Sequence, residues 1–124
     1  MRADLANDLK SKYGKILPKN VIIECGDGWY TILDSLLNSI VGYIRNHNVK
    51  LRVEIQVVKQ KFGLLRIQYG FKDIQDMRVD GMFRAIQDLS AHICESCGSP
   101  TAKLQNGVVR QVLCKSCLKA GFIK

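Results

Sequence analysis

The chain has 124 residues, 47% hydrophobic and 24% charged. That is the size and balance of one ordinary domain with a modest core, and it excludes a large multidomain enzyme, a disordered chain and a collagen-like repeat. Lys and Arg outnumber Asp and Glu 19 to 11, for a formal charge of +8, which favours a polyanionic partner such as nucleic acid over an acidic small molecule.

No apolar run approaches the ~18 residues of a membrane span, and the opening MRADLANDLK has no secretion-signal core. The expectation is a soluble cytoplasmic protein with no membrane partner. Its basic excess is uneven: residues 31–70 carry 6 basic against 2 acidic side chains, and residues 94–124 carry 5 against 1.

Along the chain, Leu5, Leu9, Tyr13 and Ile16 recur about once per turn, which predicts a first amphipathic helix ending near Leu17 and Pro18. The apolar Val21-Ile22-Ile23 then runs into Gly26-Asp27-Gly28-Trp29, a turn that starts a helix. Asp27 is placed to accept backbone N–H groups of its first turn. Phosphate cradling by the same turn is the weaker reading, since the carboxylate opposes an anion and no Walker lysine follows. The strongest helical stripe joins Trp29, Ile32, Leu33, Leu36, Leu37, Ile40, Val41 and Ile44.

After Asn46–Asn48, Leu51, Val53, Ile55 and Val57 alternate with Arg52, Glu54 and Gln56, the pattern of a half-buried strand. A second strand follows with Leu65, Ile67 and Tyr69 on one face, joined to the first by a hairpin at Phe62-Gly63. Residues 72–93 return to helical spacing through Ile74, Met77, Met82, Ile86, Leu89 and Ile93.

Four of the five cysteines form two pairs, Cys94-x-x-Cys97 and Cys114-x-x-Cys117, separated by sixteen residues. This is the spacing of a four-thiolate zinc site: each pair makes a knuckle, and turn N–H groups donate to the sulfurs. Asn106-Gly107 between the pairs reads as a two-residue type I′ hairpin, completing a zinc ribbon. Iron, a redox dithiol and two disulfides are the competing readings. Four sulfurs close the tetrahedron, so the Zn²⁺ is structural, and binding as four thiolates lowers the formal charge from +8 to about +6. Cys25, beside an apolar run and without a patterned base, reads as a small buried hydrophobe. His92 reads as surface or packing.

Lys59, Lys61 and Arg66 surround the strand connection, and Lys103, Arg110, Lys115 and Lys119 stud the ribbon. Both sets are candidate contacts for nucleic acid or a protein partner. Trp29, Phe62 and Tyr69 could stack on bases, but their pattern positions assign them to the core.

The segments CGDGWY at 25–30, VVKQKFGLLR at 57–66 and Ile93-Cys94 through Cys97-Gly98 together resemble a family of small bacteriophage and prophage proteins. That family has a Cys-Gly-Asp-Gly-Trp turn, a Lys-x-Lys-Phe-Gly-x-Leu-Arg strand connection and a C-terminal cysteine ribbon. Gln60 stands where the family usually has Glu, and Ile67-Gln68 where an aromatic pair is common. The resemblance implies phage origin and this architecture rather than a particular chemistry.

The sequence thus predicts an α+β fold, with helices on a small antiparallel sheet over residues 1–93 and a zinc ribbon over 94–124 docked on that body. The function expected is a non-enzymatic accessory factor that binds DNA or RNA through its basic surface. A module that captures a host enzyme of transcription, RNA decay or antiviral defence is the alternative. An acid–base set of Asp27 or Glu24 with Lys61 or Arg66 lacks any motif to fix its geometry.

Overall fold

A computed structural model describes residues 1–106 and 110–120. Helix α1 spans Ala3–Lys12, strand β1 Ile23–Glu24, helix α2 Tyr30–Asn46, strands β2 and β3 Val53–Lys61 and Leu64–Phe71, helix α3 Met77–Leu89, strands β4 and β5 Lys103–Asn106 and Arg110–Leu113, and helix α4 Lys115–Lys119. The result is a small α+β domain whose C-terminal hairpin and short helix bring the cysteine pairs together. No helix among the described residues is long and apolar enough to cross a membrane.

The helices depart from expectation in instructive ways. Helix α1 stops at Lys12, short of Leu17, because the chain leaves helical geometry at Tyr13. Ile16 and Leu17 are still buried, from a turn rather than a helix. Helix α2 follows its stripe closely, with Ile32, Leu33, Leu36, Leu37 and Ile40 buried and Val41 and Ile44 packed at the margin. It begins through a 3₁₀ turn at Asp27–Trp29, with no side-chain cap. Asp27 lies inside that turn, and its carboxylate instead accepts the backbone N–H of Arg2 at 2.7 Å, so the capping role is corrected.

Helix α3 is shorter than the 72–93 pattern, and only part of the expected stripe meets the core, through Met82, Ile86 and Ile93. Val79 and Phe83 are buried, whereas Ile74, Met77 and Leu89 are exposed. The start is set by Asp76, whose carboxylate accepts the N–H groups of Arg78 and Val79 at 2.8 and 3.2 Å. An N-cap there fixes the helix phase more firmly than the apolar count does.

The main sheet has the order β1-β2-β3. β2 and β3 are antiparallel, but β1 runs parallel to β2, so the sheet is mixed rather than antiparallel, with α2 as the crossover. A bulge between Ile55 and Val57 inverts the alternation, so Val58 rather than Val57 is buried. The second sheet is the β4-β5 hairpin, which pairs Asn106 with Arg110. The turn expected at Asn106-Gly107 extends outside the described residues. One buried cluster runs from Leu9 through Trp29, Leu36, Ile55 and Phe83 to Ala102, Val112, Leu113 and the cysteines. Among the described residues the ribbon has no core separate from this cluster.

Candidate metal centre and the face beside it

The four sulfurs of Cys94, Cys97, Cys114 and Cys117 lie within 4.8 Å of one another, and Cys97 and Cys114 are 3.6 Å apart. Tetrahedral Zn–S bonds of about 2.3 Å require sulfurs about 3.8 Å apart, so this donor set fits a closed four-thiolate centre. Cys94 follows a short 3₁₀ turn at Ser90–His92, and Cys114 caps α4, which carries Cys117. In the first knuckle Gly98 N–H donates to Cys94 O at 2.8 Å, and Gly98 holds φ +85, a conformation suited to glycine. In the second, Leu118 N–H donates to Cys114 O at 3.0 Å.

Electrostatics also suit a cation. Burial raises the Cys94 pKa, but the N–H groups of Cys114, Cys97 and Ser96 outweigh it and bring the thiol to about 7. Cys117 is pushed up to about 12 by burial and its thiol neighbours. Four sulfurs in one pocket cannot all ionise without a positive centre to hold them together. Cys25 stands apart: burial pushes its thiol up to about 12, which leaves it a neutral hydrophobe.

The knuckle is seated by the glycine turn before α2. Gly28 N–H donates to Glu95 O at 2.7 Å, Gly26 N–H to a Glu95 carboxylate oxygen at 2.9 Å, and Trp29 Nε1–H to Ile93 O at 2.9 Å. A Cβ on Gly26 would lie 2.2 Å from Glu95 O. The Gly26-Asp27-Gly28-Trp29 turn is therefore a docking cradle for Cys94–Gly98. Glu95, buried at 7% exposure, is the residue sequence reasoning passed over. The signal was a carboxylate inside an otherwise uncharged knuckle.

The second seam joins the β2-β3 tip to the ribbon. Gln60 Nε2–H donates to Arg110 O at 2.8 Å and reaches Glu95 Oε1 at 3.4 Å. Around it the basic candidates divide. Lys59 and Arg66 are cross-strand partners, with Glu24 paired to Lys59 on the other side. Lys61 and Arg110 converge on the ring of Phe62, at 5.7 and 5.9 Å from its centre.

Lys103 is at the far end of the β4-β5 ladder from Arg110, and Lys115 and Lys119 occupy α4. Among the described residues none of these seven cations has an ion-pair partner, and Asp27 pairs with Arg2 rather than with Lys61 or Arg66. Phe62 is not a core residue: it is 65% exposed. Trp29 is fully buried, and Tyr69 is half-buried, stacked on Phe83 at 3.7 Å.

A groove of about 600 Å³ among Ile16, Val41, Ile44, Leu51 and Val53 shares no residue with either feature. No protein-family model matches the chain, and neither do curated proteins or solved structures.

Proposed function

We propose that the protein is a small accessory factor in which a structural Zn²⁺, held by Cys94, Cys97, Cys114 and Cys117, locks the ribbon onto the body. That docking builds a basic face for nucleic acid. The zinc supplies cross-linking of two knuckles rather than reactivity, since four sulfurs leave no position for water or substrate.

The observation that carries the nucleic-acid reading is the register of the β2-β3 hairpin. Lys59 and Arg66 are directly opposite, and although Glu24 is the register partner of Lys59 on its other side, neither cation has an ion pair among the described residues; like charges so placed destabilise a sheet. Lys61 and Arg110 add two more cations at the tip, one from the body and one from the ribbon. Such unpaired positive charge is the electrostatic footprint of a phosphate-binding surface. On this reading the protein is a phage-type factor acting in the bacterial cytoplasm, as the motif resemblance implies.

The test is fluorescence anisotropy of labelled oligonucleotides against the zinc-loaded protein over a salt series. With about four phosphate contacts, the logarithm of affinity should fall against log salt with a slope of roughly −3. Replacing Lys59, Lys61, Arg66 and Arg110 by Gln should flatten the slope and weaken binding. Affinity indifferent to salt and to these changes rejects the reading.

The second reading, a module that captures a host protein, draws on the exposed Phe62 and Leu104 at the seam. One stoichiometric partner captured from nuclease-treated lysate, without oligonucleotide binding, would favour it.

A further inference from the structure

The tip of the β2-β3 hairpin holds a residue in a conformation that its type disfavours. Lys61 pairs with Leu64, so Phe62 and Gly63 alone make the turn, with φ +54 and +86. Left-handed geometry at both central positions is that of a type I′ turn, which suits the twist of the flanking strands and favours Asn-Gly or Asp-Gly. Gly63 fits this turn and its surroundings, since a Cβ on it would lie 2.4 Å from Leu104 Cδ1. Phe62 does not: a bulky side chain at positive φ is strained. With its 65% exposure, burial does little to offset that strain.

The ring's surroundings suggest what the strain serves. Its neighbours are the Lys61 ammonium and the Arg110 guanidinium, and the second comes from the ribbon. The aromatic is thus in place beside both cations only when the ribbon is docked. A ring 65% exposed provides a surface for a base, and the long Lys61 and Arg110 side chains that lie over it can swing aside to take up the adjoining phosphates. Inside a duplex the base faces are already stacked on each other, so only its two end pairs have a face to offer.

We infer that Phe62 is a stacking platform for an unpaired base, and that the protein binds single-stranded nucleic acid in preference to duplex. This rests on the nucleic-acid reading above and narrows it.

The experiment measures anisotropy of fluorescein-labelled single strands of about 12 nucleotides, thymidine DNA and uridine RNA, and of a duplex of equal length. The zinc-loaded parent is compared with Phe62→Asn and Phe62→Trp. Asn creates the Asn-Gly pair that a type I′ turn favours, so its Tm should be no lower than the parent's. Its single-strand affinity should nevertheless fall roughly 5- to 100-fold, the loss of one stacked base, while duplex binding changes little.

Phe62→Trp should keep the affinity, and its added indole fluorescence should be quenched by the bound strand. Parent-like single-strand binding by Phe62→Asn overturns the inference, as does equal affinity of the parent for single strand and duplex. So does binding lost together with a Tm lowered by several degrees, which would make the ring structural. A parent that binds neither nucleic acid rejects the underlying reading instead.

Discussion

Gly28 and Cys94 meet backbone to backbone: a Cβ on Gly28 would lie 2.1 Å from the Cys94 carbonyl oxygen and 2.6 Å from the Gly98 amide nitrogen. Neither atom belongs to a flexible side chain that could swing away, so any side chain here must push the first knuckle off the body. Gly28→Ala should therefore cost at least about 2 kcal/mol in urea unfolding of the metal-loaded protein, in the range of overpacking and broken buried networks. The Gly42→Ala control, with nothing within 4 Å of the added Cβ, should be neutral or slightly stabilising. Equal effects at the two positions would contradict the docking cradle.

Metal removal should be visible from Trp29, the chain's one tryptophan. Its ring is fully buried, and its N–H donates to Ile93 O, the residue preceding the first ligand. A strong chelator should red-shift its emission as the knuckle loosens, and zinc should restore it. Thiol alkylation gives a parallel readout. The loaded protein should resist reagent at its four ligands, the stripped protein should expose them, and Cys25 should react last because burial holds its thiol near 12. Emission and alkylation unchanged by chelation would remove the structural role of the metal.

Gln60 donates from one amide to both Arg110 O and Glu95 Oε1. A carboxylate in its place has no proton to give at neutral pH and would face the buried Glu95 side chain as a like charge. Gln60→Glu is expected to destabilise ribbon docking by about 1 to 2 kcal/mol at pH 7. Thermal unfolding checks this, and Gln60→Met, which removes the donor without adding charge, should fall between parent and Glu.

Much of this organisation was legible in the sequence where one physical signal dominated. The α2 stripe and the cysteine spacing are of that kind: each needs only local geometry, and each residue reads the same way in any fold that holds it. The failures came where a second element decided the outcome. Val57 has the alternation of a core residue, but a bulge that depends on pairing with β3 hands the position to Val58. Ile74 and Met77 extend an apolar count, but the Asp76 cap starts the helix after Ile74 and turns both outward.

The glycine turn, the strand connection and the first cysteine pair read as separate pieces along the chain. In the fold they are parts of one seam, with Gly26 and Gly28 against Glu95 and Cys94, and Gln60 against Glu95 and Arg110. No local pattern announces such an interface, because its partners are separated by up to 69 residues.

Two carboxylates tie the helices together and make part of the fold's stability depend on acid. Asp34 accepts from Lys12 Nζ at 2.8 Å and the Tyr13 hydroxyl at 2.7 Å, linking α1 to α2; Asp76 accepts from the Tyr43 hydroxyl at 2.7 Å and caps α3. These bonds hold both carboxyls below the ordinary carboxylate range, led by Lys12 for Asp34 and by Tyr43 for Asp76. A pKa lowered by folding stabilises the native state above the unfolded value of about 3.9, and that contribution drains away as pH falls through the folded value. Asp76→Asn keeps an acceptor for the cap but removes the charge. The stability difference between parent and Asp76→Asn, measured by urea unfolding from pH 7 to pH 3, should be constant down to about pH 5 and then close toward zero. Asp34→Asn should behave in the same way. Taking the difference at each pH cancels any acid effect on the metal centre common to both proteins, so a gap that widens in acid would show that these carboxylates are not held in their charged form by folding.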